Sequence, residues 1–278
     1  IYSTELNFID LLSDIFPNLS KYDKTPQEFS LNRRPDFRLE RDDKVLYVNV
    51  DGLYDHSEIG RGLAGSDKKY HLTLSKAFKE NGHRIFQFRE DELVHKRDIV
   101  KSIIKNYFGL SKKYNARECV IQRVTSKTSR TFFQNNHLMG YVPAVGYGLY
   151  HKGDLIAVMS VKRTRGGLDI ARFCSRLNCS VRGGFSKLLK HVIGLYNPSF
   201  VQSFCDLRYS TGISYEKNNF TLKQVTLGWQ WTDKVDTFNR LKCKANMDDR
   251  GLSQAKHAEE LGWYKIYDAG QAKYILYL

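Results

Sequence analysis

Two carboxylates and a histidine stand where a short hairpin would gather them. Asp36 follows Pro35 at the start of one strand-like run, and Asp51 closes a second, Val45 to Val50. A polar break from Glu40 to Lys44 separates the runs. Consecutive runs of this kind pair as antiparallel strands, which brings Asp36 beside Asn49 and Asp51. Carboxylates converging with a carbonyl oxygen at a strand end form an oxygen-rich pocket for a hard divalent cation such as Mg2+ (or Mn2+). His56, on the loop beyond, can take a proton from water or hold a phosphate. The chemistry this implies is metal-assisted phosphodiester hydrolysis, with the ion on Asp36 and Asp51 polarising the phosphate and aligning a water. Each residue also has a plainer reading. Pro-Asp and Asp-Gly are turn dipeptides, a loop histidine is often satisfied by a carbonyl, and Glu5 sits where a first-turn acid complements a helix dipole.

The elements that must position these groups are readable from periodicity. Ser3–Phe16 predicts a helix, with Leu6, Ile9, Leu12 and Phe16 at helical spacing and Pro17 as its stop. Lys69–Asn81 predicts a second helix, Arg84–Arg89 a strand, and Asp98–Phe108 a third helix. Glu90-Asp91-Glu92, just past the strand, reads as solvated surface. Together these form an α/β domain over residues 1–110. A basic linker over residues 111–130 follows, carrying Lys112, Lys113 and Arg117. Residues 131–278 form a second α/β domain. It has a helix over Thr128–Asn136, a hairpin of Val145–Tyr150 with Leu155–Lys162, and a strand over Leu168–Cys174. A glycine turn at Gly183-Gly184 then opens a helix, and further strands lie at Phe200–Asp206, Trp229–Asp233 and Lys273–Leu278.

Lys and Arg number 44 against 30 Asp and Glu, a formal net charge of +14 over 278 residues. Such an excess attracts polyanions, nucleic acid first among them. Double-stranded DNA is therefore the expected partner, with Lys112, Lys113, Arg117, Arg163, Arg165, Arg182 and Lys187 as the expected contacts. The five cysteines form no CxxC pair, which argues against structural zinc and for free thiols in a reducing compartment. No apolar run is long enough to span a membrane and no signal peptide is visible, so a soluble intracellular protein is expected. The first residue is Ile1, which suggests residues upstream.

The block Pro35-Asp36, Val50 to Glu58, Lys69-Tyr70-His71 and Arg84 to Glu92 resembles free-standing homing endonucleases of tailed bacteriophages. These are similar to very-short-patch-repair nucleases (Vsr-like, EDxHD), a branch of the PD-(D/E)xK restriction-endonuclease-like fold. Strings in the second half extend the resemblance: Asn136 to Gly140, Arg172-Phe173-Cys174, Gly183 to Leu188, Asp206 to Ser210 and Tyr267 to Gly270. The resemblance implies a phage-encoded enzyme of the bacterial cytoplasm that cuts DNA at a defined site and so promotes mobility of its own gene. It puts the metal carboxylate on Asp36, a second active-site group on Asp51, the Vsr-type histidine on His56 and an acid on Glu5, with His71 a further candidate. The acid-x-lysine end of the wider superfamily is absent, since the chain reads Asn49-Val50-Asp51. The glycine turn at Arg182-Gly183-Gly184 with its flanking strands is similar to an N-acetyltransferase-like (GNAT) fold. In active members such a turn cradles the pyrophosphate of coenzyme A; here it implies a domain that holds DNA without a small-molecule cofactor. The other readings are a DNA-modifying acyltransferase-like protein and a catalytically decayed DNA-binding protein.

Overall fold

The computed structural model describes residues 3–22, 34–60, 67–245 and 253–278. It divides into two compact units. The first comprises Ile1–His95, Asp206–Ser210 and Val225–Gln271, and the second Lys96–Cys205, Thr211–Gln224 and Ala272–Leu278.

The first unit opens with helix α1 (Ser3–Leu12), which buries Glu5, Phe8, Leu11 and Leu12. It is shorter than the sequence implies, and the chain turns through Phe16, whose N–H meets the Leu12 carbonyl at 2.8 Å. The expected hairpin is present. Strand β1 (Phe37–Arg41) pairs antiparallel with β2 (Lys44–Asp51) in the register Phe37↔Val48. Helix α2 (Tyr70–Glu80) buries His71, Leu74 and Phe78, one stripe at helical spacing, and Leu74 and Phe78 pack on Tyr47 and Ile85. Strand β3 (Ile85–Arg89) then lies parallel to β2, with Asn49 opposite Gln87 and Asp51 opposite Arg89.

The acidic triplet is not solvated surface. It begins helix α3 (Glu90–His95), and both Asp91 and Glu92 are buried. Asp91 Oδ2 accepts from the backbone N–H and the hydroxyl of Thr237 at 3.0 and 2.6 Å. Glu92 accepts from the Arg208 guanidinium at 2.9 and 3.0 Å. Acids this buried persist only with such partners, and these lie more than a hundred residues away in the chain.

The second unit starts with α4 (Arg97–Tyr107) and β4 (Lys112–Asn115), then a 3-10 turn over Ala116–Glu118 and β5 (Val120–Val124). The segment expected as a linker is thus ordered structure, anchored by buried Tyr114, Ala116 and Cys119. Helix α5 (Ser126–Asn136) is capped by Thr125, whose hydroxyl accepts from the Thr128 N–H. Strands β6 (Val145–His151) and β7 (Asp154–Thr164) form a hairpin. Its two turn residues, Lys152 and Gly153, both have positive φ (51° and 89°), as a type I′ turn requires. Next come β8 (Gly167–Ser175), β9 (Cys179–Arg182), α6 (Gly184–Tyr196), β10 (Phe200–Asp206) and the short α7 (Ile213–Glu216). Apolar positions at helical spacing on α6 bury Leu188, Leu189 and Val192.

Strand β11 (Thr221–Thr232), β12 (Thr237–Phe238), α8 (Arg240–Ala245), α9 (Gln254–Glu260) and β13 (Tyr264–Tyr277) complete the chain. Both β11 and β13 contribute residues to each unit. In the first unit their residues support a core of Trp231, Cys243 and Ala258 with Phe238 and Trp263 around it. In the second, the sheet runs β13-β10-β8-β7-β6-β5, with β8 and β10 parallel. None of the described helices is long and apolar enough to cross a membrane.

Candidate active site

In the first unit the β1–β2 hairpin and the β2–β3 pair converge the residues singled out by the sequence. Asp36 sits one residue before β1, and its Oδ2 accepts the Val50 N–H at 2.7 Å. Burial pushes its carboxyl up to about 6. The Val50 N–H opposes that shift, while the charges of Asp51 and Glu5 add to it. Glu5 is therefore electrically part of the cluster, and Lys21 Nζ meets its Oε1 at 2.7 Å. Asp51 is buried at the end of β2, with His56 Nδ1 and His71 Nδ1 each 3.6 Å from its carboxylate.

Gln87 fixes the protonation of the histidine pair. Its amide nitrogen donates to the His71 carbonyl at 3.1 Å and to Ser75 Oγ at 2.6 Å, so its Oε1 faces His71 Nδ1 at 2.5 Å. His71 Nδ1 must then carry the proton, leaving Nε2 to accept from His56 Nδ1 at 3.1 Å. His56 Nε2 is left with a lone pair, on a side chain that remains partly open to solvent. Burial holds the His71 pKa below its ordinary value, despite the nearby Asp51 charge. Sequence reasoning missed Gln87. The signal was a polar residue at the strand position directly across from Asn49.

Ligand atoms of Asp51, His56 and His71 all lie within 4.8 Å of one another. Two buried acceptors beside them, Asp51 Oδ1 and Asn49 Oδ1, have no hydrogen-bond partner. A divalent cation fits such a site, because it satisfies acceptors that burial has stripped of water. The set differs from the expected one. Asp36 is not in this group, and two imidazoles replace an all-oxygen shell, which suits Mn2+ or Zn2+ better than Mg2+.

In the second unit the basic residues fall into separate places. Strands β4 and β9 pair in parallel, with Asn115 opposite Arg182, so Lys112, Lys113, Arg117 and Arg182 share one small exposed sheet region. Arg163 and Arg165 lie elsewhere, at the end of β7 and in the turn that follows. Lys187 is committed internally, with its ammonium 2.9 and 2.5 Å from the carbonyls of Ala116 and Cys119.

The same unit contains an opening in its sheet. The parallel register of β8 and β10 ends at Ile170↔Ser203, yet β8 runs on to Ser175 and β10 to Asp206. Tyr215 Oη bonds Ser203 Oγ at 3.0 Å where the strands part, and burial pushes its pKa up to about 12. A cleft of about 500 Å³ lies beside the free end of β8, lined by Phe173, Cys174, Gly184, Ser186 and Asn218 among others. Helix α6 starts at this cleft from Gly183, which has φ 72° and leaves the first turn without a side-chain cap.

No protein-family model matches the chain, and neither does any curated protein. Solved structures to which it is similar are acetyltransferases. An IAA acetyltransferase from Bacillus cereus is 14% identical, with 58% of this chain and 99% of that one covered at a TM-score of 0.35. The ribosomal-protein-S18-alanine N-acetyltransferase from Escherichia coli is 10% identical, with 57% and 93% covered at 0.37. A Bacillus subtilis acetyltransferase in complex with CoA is 12% identical, with 58% and 99% covered at 0.37. In the second unit α6 lies in sequence between β8 and β10, and β13 pairs beside β10. Both units are mixed α/β structures. The expectation of a homing endonuclease is corrected. The matching structures named are transferases rather than hydrolases, and nothing in the comparisons answers to a Vsr-like domain. Metal-dependent cleavage of DNA and gene mobility are withdrawn with it.

Proposed function

We propose that this chain is an acyltransferase-like protein acting with double-stranded DNA, and that its GNAT-like unit takes a coenzyme-A thioester in the cleft. The observation that carries the reading is the parting of β8 and β10 beyond Ile170 and Ser203, directly beside the uncapped start of α6. Free N–H groups at a helix start hold a pyrophosphate without needing side-chain cations. The unpaired strand edges beyond the parting offer backbone groups to an extended amide-bearing arm. An acyl-coenzyme A thioester held there would supply the activated acyl group. Tyr215 Oη, still protonated at neutral pH, stands at the parting of the strands beside Ser203, where it would hold a proton for a departing thiolate.

The DNA partner rests on Lys112, Lys113 and Arg182 on β4 and β9 with Arg117 in the turn that follows, a grouping suited to phosphate contacts. In the first unit, Asp51, His56 and His71 would hold a divalent ion, supplying Lewis-acid charge beside Asp36. A restriction-endonuclease-like description of that unit is kept as a reading of fold, on its β1-β2-β3 sheet. A second reading, a DNA-binding protein without cofactor, is favoured by one observation. Lys187, in the first turn of α6, is turned to backbone carbonyls and does not line the cleft.

Calorimetric titration with acetyl-coenzyme A tests the proposal. Saturable binding is expected, and Ser186→Glu should weaken it at least about tenfold by setting a carboxylate against the pyrophosphate. No heat and no thermal shift would end the acyltransferase reading. DNA binding retained in that case, with a steep salt dependence, would leave the second reading standing.

A further inference from the structure

The second unit holds another cavity, at the other end of β8 from the cleft. Its volume is about 560 Å³, within the ordinary range for small-ligand sites. Arg123 and Ser126 line it from the β5–α5 junction, Lys162 and Arg163 from the end of β7, and Tyr141 and Tyr196 from the sides. Lys162 and Arg163 stand opposite Asp169 and Leu168 on β8. On β8 the cleft is lined by Phe173, Cys174 and Ser175. Five residues of strand separate Leu168 from Phe173, roughly 17 Å.

Three features define what the cavity takes. Arg123, Lys162 and Arg163 bring three cations to it, and no carboxylate is among its lining residues. Asp169 faces Lys162 across the β7–β8 pair but does not line the cavity. Among the described residues no ion pair within 4.0 Å engages Arg123, Lys162 or Arg163. The two tyrosines, finally, are held in place. Arg130 lies 4.7 Å from the ring centre of Tyr141 and Arg163 lies 5.2 Å from that of Tyr196, whose hydroxyl meets that of Tyr147 at 2.9 Å.

We propose that this cavity binds a nucleoside monophosphate group, with the phosphate on Arg123, Lys162 and Arg163 and the base against Tyr141 and Tyr196. Guanidinium forks match phosphate oxygens in pairs, and aromatic side chains accept any base on their faces. The group comes either from a free nucleotide or from the phosphorylated 5′ end of a nucleic-acid strand. This site stands apart from the coenzyme reading, because it shares no lining residue with the cleft.

The test is calorimetry on the whole chain with adenosine monophosphate, adenosine, inorganic phosphate, and a trinucleotide with or without a 5′ phosphate. Adenosine monophosphate should bind at least about tenfold more tightly than adenosine or phosphate alone. Arg123→Gln and Arg163→Gln should each weaken binding about tenfold or more. Lys152→Gln, an exposed change in the β6–β7 turn, should leave it unchanged. A phosphorylated trinucleotide that binds more tightly than the mononucleotide identifies a strand end; the reverse order identifies a free nucleotide. Equal binding of adenosine and its monophosphate would overturn the proposal, as would no saturable binding by any of the phosphorylated probes. Should Arg163→Gln lose its folded circular-dichroism signal, the exposed Lys162→Gln carries the same test, and undiminished binding there counts against the site.

Discussion

Gln87 and Arg89 stand two residues apart on one face of β3, yet they belong to buried networks of opposite kinds. Arg89 is fully engaged: one guanidinium nitrogen meets Gln230 Oε1 and another meets Asp268 Oδ2, each at 2.6 Å. Arg208 continues this network with Glu92 on one side and Asp206 on the other. Across from Gln87 the accounting does not close. Asp36 is driven towards protonation, and Asp51 Oδ1 and Asn49 Oδ1 accept nothing. Burial costs the same in both places, so the difference is one of completion. The first network is finished by the chain itself. The second carries the unmet acceptors that a bound cation would satisfy.

Breaking the finished network should have the largest effect. Arg208→Met strands the Glu92 and Asp206 carboxylates, and the expected loss is about 3–5 kcal/mol in denaturant unfolding. In the unfinished cluster the same logic reverses sign. Asp36 has a folded pKa raised from 3.8 to about 6. It therefore contributes stability below pH 4 that is lost as pH rises through 6. Asp36→Asn should keep the Val50 hydrogen bond and stabilise the protein at pH 8 by on the order of 2–3 kcal/mol. At pH 3.5 the variant and the parent should unfold together. A stability gain that does not vary with pH would show that Asp36 is not the strained group.

Gln87→Leu addresses the join between the two networks with a smaller effect. It removes the acceptor that holds the His71 proton on Nδ1, at an expected cost of about 1–3 kcal/mol. Nitrogen-15 imidazole spectra should show His71 shifting to a mixture of tautomers. If the spectrum stayed that of a single Nδ1-protonated ring, Asp51 rather than Gln87 would be setting the tautomer.

Much of this was open to sequence reasoning because it is local. The Asp36–Asn49 proximity follows from two adjacent strands and a polar turn, and the hairpin register bears it out. The β6–β7 turn is legible for the same reason. Buried charge was not legible. Alternation in Arg-Ile-Phe-Gln-Phe-Arg sends Phe86 and Phe88 to one face and Ile85, Gln87 and Arg89 to the other. All five are buried, and Arg89 is covered by Gln230 and Asp268, which return from far along the chain, while Arg208 returns to pair with Glu92. Glu92 and Asp91 were misread for that reason too. The chain's second and third visits to the first unit leave no mark in a local pattern.

Those return visits set a clock during synthesis. Arg89 and Asp268 are separated by 179 residues, and at about 5–20 residues per second a ribosome needs roughly 10–35 s to make that interval. Until it closes, Arg89 on that strand exists without the carboxylate that completes its ion pair. A transcript or protease that ended the chain before β13 would therefore yield a polypeptide with Asp36, Asp51, His56 and His71 all present and no closed unit to hold them.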